Sequence, residues 1–298
     1  MNHRSLLVLA ACLTLALSAR AEAPGLPTLE KISRTATISL GHRESSVPFS
    51  YYDGKRQVVG YSHDLMLAVV ERIRQELRLP ALAVKLVPVT SQNRIPLVQN
   101  GSVDLECGST THNRERARQV AFSVSIFHTS SRLLTRHDSG IADLADLKGR
   151  RVAVTAGTTP ERSLLLRAEA TGLRFEIVSV KDHGDGFNRL QEGRADAFLM
   201  DEAMLYGLRA KAERPDDWRV VGQPMAAEVY ACMLRKDDPR FKALVDRSLT
   251  EIMQSGEALR IYKRWFQSPI PPKGLNLNWP APAALLELFR APNDQPLG

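Results

Sequence analysis

The 298-residue chain is long enough to bury a sizeable core and to form more than one folding unit. With 44% hydrophobic and 24% charged residues it has an ordinary globular balance. The net charge of +7 raises nucleic acid as a partner, but Lys and Arg are scattered among acids. No basic run, zinc-ligand spacing or aromatic–basic motif accompanies them, so the excess reads as a solvated mixed surface with no nucleic-acid partner.

The first segment reads as an export signal. Arg4 precedes an apolar run from Leu6 to Leu17 that is too short to span a bilayer, and Ala19-Arg20-Ala21 is a small-x-small cleavage site. Cutting after Ala21 removes Arg4 and Arg20 and takes the charge from +7 to +5. Leu9-Ala10-Ala11-Cys12 resembles a lipoprotein box, but the apolar run continues past Cys12 and the stretch before it is very short. Soluble export is therefore expected. The remaining Cys107 and Cys232 then occupy a compartment where disulfides persist. They read either as one bridge or as two small buried hydrophobes.

Strand and helix patterns then alternate. Strands are expected at 35–40, 84–89, 103–107, 127–135, 151–155, 175–180, 195–200 and 230–234. Helices are expected at 64–77, 95–99, 113–119, from 160, at 186–191, 241–254 and 258–266, before a tail rich in Pro and Asn. The apolar stripe Leu65, Val69, Val70, Ile73 and Leu77 has helical spacing. Such alternation predicts an α/β protein with open, mostly parallel sheets covered by helices. The run from Asp143 to Gly149 reads as a fresh start, so a second lobe begins near Ser130 and the strand at 230–234 returns to the first.

Open α/β sheets bind ligands at the carboxyl ends of their strands. Those ends carry His42-Arg43, Ser91 to Arg94, Ser109 to Thr111 with Arg116 beyond, Thr158-Thr159, His183-Gly184, and Asp201. Three arginines and a histidine against one aspartate suit a dicarboxylic amino acid, because guanidinium forks pair bidentately with carboxylates. Thr159-Pro160 reads as a helix N-cap and first-turn proline, whose free N–H groups would seat a carboxylate. Arg94 breaks a local rule, a cation in a helix first turn, as functional residues do. Taken singly, each residue has a plainer reading: Thr159 and Asp201 as caps, Arg43 and Arg94 as surface groups, His183 as a turn residue.

These residues resemble the glutamate/aspartate-binding members of the polar amino-acid solute-binding family of bacterial ABC importers. The carriers are Gly-His-Arg-Glu-Ser-Ser-Val-Pro-Phe-Ser-Tyr-Tyr from Gly41, Thr-Ser-Gln-Asn-Arg-Ile-Pro-Leu from Thr90 and Glu-Cys-Gly-Ser-Thr-Thr from Glu106. Further on come Lys-Asp-His-Gly-Asp from Lys181, Cys-Met-Leu-Arg-Lys-Asp-Asp-Pro from Cys232 and Pro-Ile-Pro-Pro-Lys from Pro269. Phe122-Ser123, six residues after Arg116, marks the broader family.

The resemblance covers nearly all of the mature chain. It implies two α/β lobes joined by two hinge strands, of the type II periplasmic binding-protein kind. The first lobe would comprise 22–126 and 230–298 and the second 127–229, with hinges near 126–130 and 226–230. It implies that Arg116, Thr111 and Thr159 hold an α-carboxylate, Asp201 and Ser109 an ammonium, and Arg43, Arg94, Ser91 and His183 a side-chain carboxylate. It also brings Cys107 near Cys232. A periplasmic monomer serving a membrane permease, with no cofactor, metal or catalytic residue, is the reading. A dehydratase-like enzyme on the same fold and a ligand-sensing receptor module are the alternatives.

Overall fold

The computed structural model describes residues 26–225 and 227–297. The export segment 1–21 with Cys12 lies outside them, as does Ala226 in the second expected hinge. No helix among the described residues is long and apolar enough to cross a membrane.

Helix α1 (Thr28–Thr35) leads into β1 (Thr37–His42) and a small antiparallel ribbon, β2 (Ser45–Ser46), β3 (Ser50–Tyr52) and β4 (Val58–Val59). Helix α2 (Tyr61–Glu76) buries Leu65, Val69, Val70 and Ile73, the stripe its spacing predicts. Then come β5 (Ala83–Pro88), α3 (Arg94–Gln99), β6 (Leu105–Glu106) and the long β7 (Ala121–Arg136). The next stretch holds β8 (Arg151–Thr155), α4 (Thr159–Thr171), β9 (Glu176–Val180), α5 (His183–Gln191), β10 (Ala197–Asp201), α6 (Glu202–Lys211) and β11 (Trp218–Val221). Strand β12 (Ala227–Leu234) returns, followed by α7 (Pro239–Gln254), α8 (Glu257–Phe266) and α9 (Ala283–Arg290).

The strands run in the order β5-β1-β6-β12-β7-β10-β8-β9, with β11 also on β7. Parallel pairing joins β1 to β5 and β6 on one side, and β8 to β9 and β10 on the other. The division falls within β7. Its residues 121–130 pair antiparallel with β12, whereas Ser131 to Arg136 pair with β10 and β11. One continuous strand and one returning strand thus connect two α/β lobes, as expected.

Apolar packing falls into three clusters, and the main one runs through both lobes. Ile141, Leu147, Val152, Val154, Leu164 and Leu199 cluster in the second lobe. In the first, Val89, Val98, Val103, Phe122 and Met233 pack on one side of the sheet. The main cluster includes Phe49, Tyr61, Phe127, Tyr230 and Phe266, with edge-to-face and stacked pairs 4.7–6.1 Å apart.

Two expectations change. The helix at 113–119 is only a tight turn at Arg116–Arg118, because Asn113 Oδ1 accepts from the Arg116 N–H and β7 begins at Ala121. The strand expected at 103–107 pairs only at Leu105 and Glu106.

Cys107 and Cys232 are joined in a disulfide, with Cα atoms 4.3 Å apart and a sequence separation of 125. The closed loop contains the whole second lobe, so the bridge removes a large amount of unfolded-chain freedom. Replacing both cysteines by serine is expected to lower unfolding free energy by about 2–5 kcal/mol. A urea midpoint unchanged from the disulfide-bonded protein would refute this.

Candidate functional site

The site is assembled from strand ends that meet where the lobes face each other. Arg43 follows β1, and Ser91 and Arg94 follow β5. Ser109, Thr111 and Arg116 follow β6. From the second lobe, Thr159 follows β8, His183 follows β9, and Asp201 ends β10. Arg43, Arg94 and His183 are 1–2% exposed and Arg116 is 8% exposed, which rules out the surface reading of the arginines. Thr159 is half-buried and the others are buried.

Hydrogen bonds join most of the nine in small groups. Arg43 Nη2 lies 3.4 Å from His183 Nε2, and His183 Nδ1 lies 3.0 Å from Thr155 Oγ1. Arg94 Nη1 donates to Thr110 Oγ1, and Thr110 Oγ1 donates onward to Glu106 at 2.8 Å. Arg116 donates to the Thr111 carbonyl at 3.0 Å and to the Gly157 carbonyl at 3.1 Å, one from each lobe. Thr111 and Thr159 hydroxyls lie 3.1 Å apart. Asp201 accepts from Tyr230 Oη and, at 3.1 Å, from Ser131 Oγ.

Local geometry corrects one assignment. Thr158, not Thr159, caps α4: its backbone is extended and its hydroxyl accepts from the Glu161 N–H at 3.3 Å. That leaves Thr159 in the first turn, with its hydroxyl turned to the cleft rather than to the helix. Asp201 precedes α6 but makes no side-chain cap hydrogen bond; its carboxylate is spent on Tyr230 and Ser131 instead. His183 opens α5 behind its cap Asp182 rather than sitting in a turn.

The expected charge balance of one acid against the arginines is also corrected. Glu106 and Glu228, which carried no assigned role, are buried in the same place at 0% and 7% exposure. Glu228 Oε2 accepts from Thr111 Oγ1 at 2.5 Å and from Thr159 Oγ1 at 2.7 Å, and its Oε1 accepts from Ser131 at 3.3 Å. The signals were slight. Glu106 is an acid between Leu105 and Cys107 in an apolar strand, and Glu228 lies two residues ahead of Tyr230, one strand period away.

Burial and like charge set the protonation states. Burial, then the nearby Arg94, pulls Arg43 down to about 10, and burial pulls Arg116 down to about 9. Both stay cationic at neutral pH. Burial, then Arg43 and Arg94, drives His183 well below its usual value, so its imidazole is neutral and accepts or donates as a dipole. Burial, then Glu228, raises the Asp201 carboxyl well above the usual carboxylate range. Arg43 Nη1, Arg94 Nε, Ser91 Oγ, Ser109 Oγ and Glu106 Oε1 are buried without a hydrogen-bond partner among the described residues. Buried polar atoms without a partner are few in native structures, and each calls for an explanation.

A cleft of about 720 Å³ opens beside this patch, lined by Thr111, Arg114, Arg118, Thr159, Arg162 and Glu228. The lobes also touch around it. Ser45 Oγ donates to Asp182 at 2.9 Å and accepts from the Gly184 N–H at 3.1 Å, and Tyr206 packs edge-on to Trp279. No group of three or more His, Cys, Asp or Glu suited to a metal occurs among the described residues.

Two α/β lobes on paired crossing strands, with a polar patch drawn from both, define a binding protein of the type II class. Residues 38–268 match the bacterial extracellular solute-binding proteins, family 3, and the chain belongs to that family. The glutamate/aspartate import solute-binding proteins of Salmonella typhimurium and Escherichia coli are each 53% identical over 270 residues, 91% of this chain and 89% of theirs. The L-glutamate/L-aspartate-binding protein of Pseudomonas aeruginosa is 53% identical over 269 residues, 90% of this chain and 89% of its own. Among solved structures, a mutant of ArgBP from T. maritima superposes with a TM-score of 0.71 at 25% identity, covering 80% of this chain and 99% of its own. An ancestral amino-acid-binding protein, a precursor of cyclohexadienyl dehydratase, gives 0.67 at 27% identity, again covering 80% and 99%.

Gly207 on α6 marks how closely the lobes approach, since a Cβ there would lie 2.4 Å from the Val47 carbonyl oxygen across the interface. Gly207→Ala is expected to oppose closure by about 1–3 kcal/mol, roughly 5- to 150-fold, with the fold intact. Small-angle scattering that shows the same radius of gyration as the parent protein would count against this.

Proposed function

We propose that the protein captures free L-glutamate or L-aspartate in the periplasm and, as a monomer, delivers it to the permease of an ABC importer. The observation that carries this reading is the group of three buried arginines at one inter-lobe patch, two of which, Arg43 and Arg94, keep a donor free. The side-chain carboxylate of a dicarboxylic amino acid would accept charge-assisted hydrogen bonds from the free Arg43 Nη1 and Arg94 Nε, whereas a neutral amide offers them a weaker acceptor. The names of the relatives at 53% identity point the same way, and they favour binding over dehydratase-type chemistry.

In this reading Arg116, Thr111 and Thr159 take the α-carboxylate, and Asp201 with Ser109 takes the ammonium. Arg43, Arg94, Ser91 and His183 take the side-chain carboxylate; the unpartnered Arg43 Nη1, Arg94 Nε and Ser91 Oγ support that assignment. Residues 22–126 with 230–298 form one lobe and 127–229 the other. Bending near 126–130 and 226–230 opens them, supported by the crossing of β7 and β12 there. The ligand bridges both lobes, so it favours the closed form by differential contact.

At a hundredfold excess over Kd, L-glutamate or L-aspartate is expected to add about 2.7 kcal/mol to unfolding free energy. Stabilisation by arginine or glutamine but by neither acid would defeat the specificity. Arg43→Met is expected to weaken glutamate by about 2–5 kcal/mol in calorimetric titration and glutamine by much less. Equal losses would assign Arg43 to the fold.

A further inference from the structure

The run Pro269-Ile-Pro-Pro-Lys supplies no residue to the proposed site, and it begins just past the matched segment 38–268. It opens a tight loop that is firmly built into the first lobe. The Ile270 N–H donates to the Leu275 carbonyl and the Gly274 N–H to the Ile270 carbonyl, both at 2.9 Å. Tyr51 Oη donates to the Pro271 carbonyl at 2.8 Å. Where the loop ends, the Trp279 N–H donates to the Phe266 carbonyl at 2.9 Å, and Tyr262 Oη donates to the Trp279 carbonyl at 3.2 Å. Lys273 and Trp279 are thus carried on backbone that β3 and α8 hold in place.

Both residues reach α6 of the second lobe. The Trp279 ring meets the Tyr206 ring edge-on, with centroids 5.2 Å apart and planes at 76°. Lys273 Nζ approaches the carbonyl of Ala212, the residue that ends α6, at 3.4 Å, where a cation meets the negative pole of the helix. Lys211, in the last turn of α6, lies 5.6 Å from the Tyr51 ring centroid. Lys211 and Lys273 repel each other, which leaves the aromatic pair as the stronger link. Tyr206 and Trp279 are each half-buried, as suits a contact that can form and part. Helix α6 starts at Glu202, directly after Asp201, so the loop grips the helix that follows the proposed ammonium contact.

We infer that Trp279, with Lys273, is a positioning residue that clasps α6 and raises ligand affinity by holding the lobes together, without touching the ligand. The inference rests on the reading of ligand-driven closure given above. A contact made in the closed form and lost in the open one adds its free energy to binding. An aromatic pair of this geometry corresponds to roughly 2- to 12-fold in affinity. The ligand leaves through the open form, so losing the clasp speeds release and changes the association rate little. L-glutamate and L-aspartate lose equally, since neither meets the clasp.

Calorimetric titration and stopped-flow release of both acids from the mature protein test it. Trp279→Ala is expected to weaken both by roughly 2- to 12-fold and to speed release by the same factor, and Trp279→Phe to restore most of the affinity. Tyr206→Ala, made in the other lobe, is expected to give the same loss, and the double variant no more than either alone. Unchanged affinity in both single variants overturns the inference. Losses that add fully in the double variant also overturn it, because each ring then serves only its own lobe. If Trp279→Ala does not fold, Tyr206→Ala decides alone: faster release supports the clasp and an unchanged rate overturns it. Absence of any heat from the parent with either acid sinks the functional reading, and the inference with it.

Discussion

The burial of three guanidiniums in one place is the constraint to which the surrounding structure answers. Buried cations need donors' partners and counter-charge, or they do not stay buried. Arg94 reaches Glu106 through the Thr110 hydroxyl, Arg116 is held by two carbonyls, and Arg43 faces an imidazole kept neutral by its surroundings. Glu106 can enter only because Gly41 and Gly108 leave room. A Cβ on Gly41 would lie 2.9 Å from Glu106 Cγ, and one on Gly108 would lie 2.4 Å from its Oε1. Two glycines that look like ordinary turn residues in sequence are thus spacers for a buried acid.

Regular elements were legible where apolar periodicity was clean. The strand at Arg151–Thr155 falls where its pattern predicts, and α2 and α7 begin within three residues of expectation. Short pieces were not. The ribbon β2–β4 has two or three residues per strand, too few for alternation to register. Helix α1 lies in the short Pro-containing stretch ahead of the first expected strand, where no element is predicted. Helix α9 lies in a tail whose prolines mask its apolar Leu285, Leu288 and Phe289. The residues proposed for the site could be named because most of them sit at or just beyond strand ends. Glu106 and Glu228 were not, because they lie within strands, where polarity alone does not announce a ligand contact.

Thr158 and Thr159 show why adjacent residues of one type are hard to assign from sequence. Either hydroxyl satisfies the N-cap preference, and only the entry angle of the chain decides. Here the extended backbone belongs to Thr158, whose hydroxyl also donates to the Thr155 carbonyl at 2.7 Å. The cap therefore holds the turn rigid while the next residue reaches across to the other lobe.

The connection between the lobes is built unevenly. Beneath it, Phe127 and Tyr230 are fixed in the aromatic cluster, Tyr61 Oη donates to the Ile126 carbonyl at 2.7 Å, and Cys232 ties β12 to the end of β6. Register shifts in the β7–β12 ladder lie on this first-lobe side, at Tyr230/Ala231 and Ala231/Met233, where bulges increase twist. Above it, Ser131 on β7 and Glu228 on β12 meet through a hydrogen bond. Packed cores resist gradual deformation, whereas a few polar contacts exchange readily for others. The bending proposed above would fall on the short stretch that holds Ser131 and Glu228, beside the candidate site.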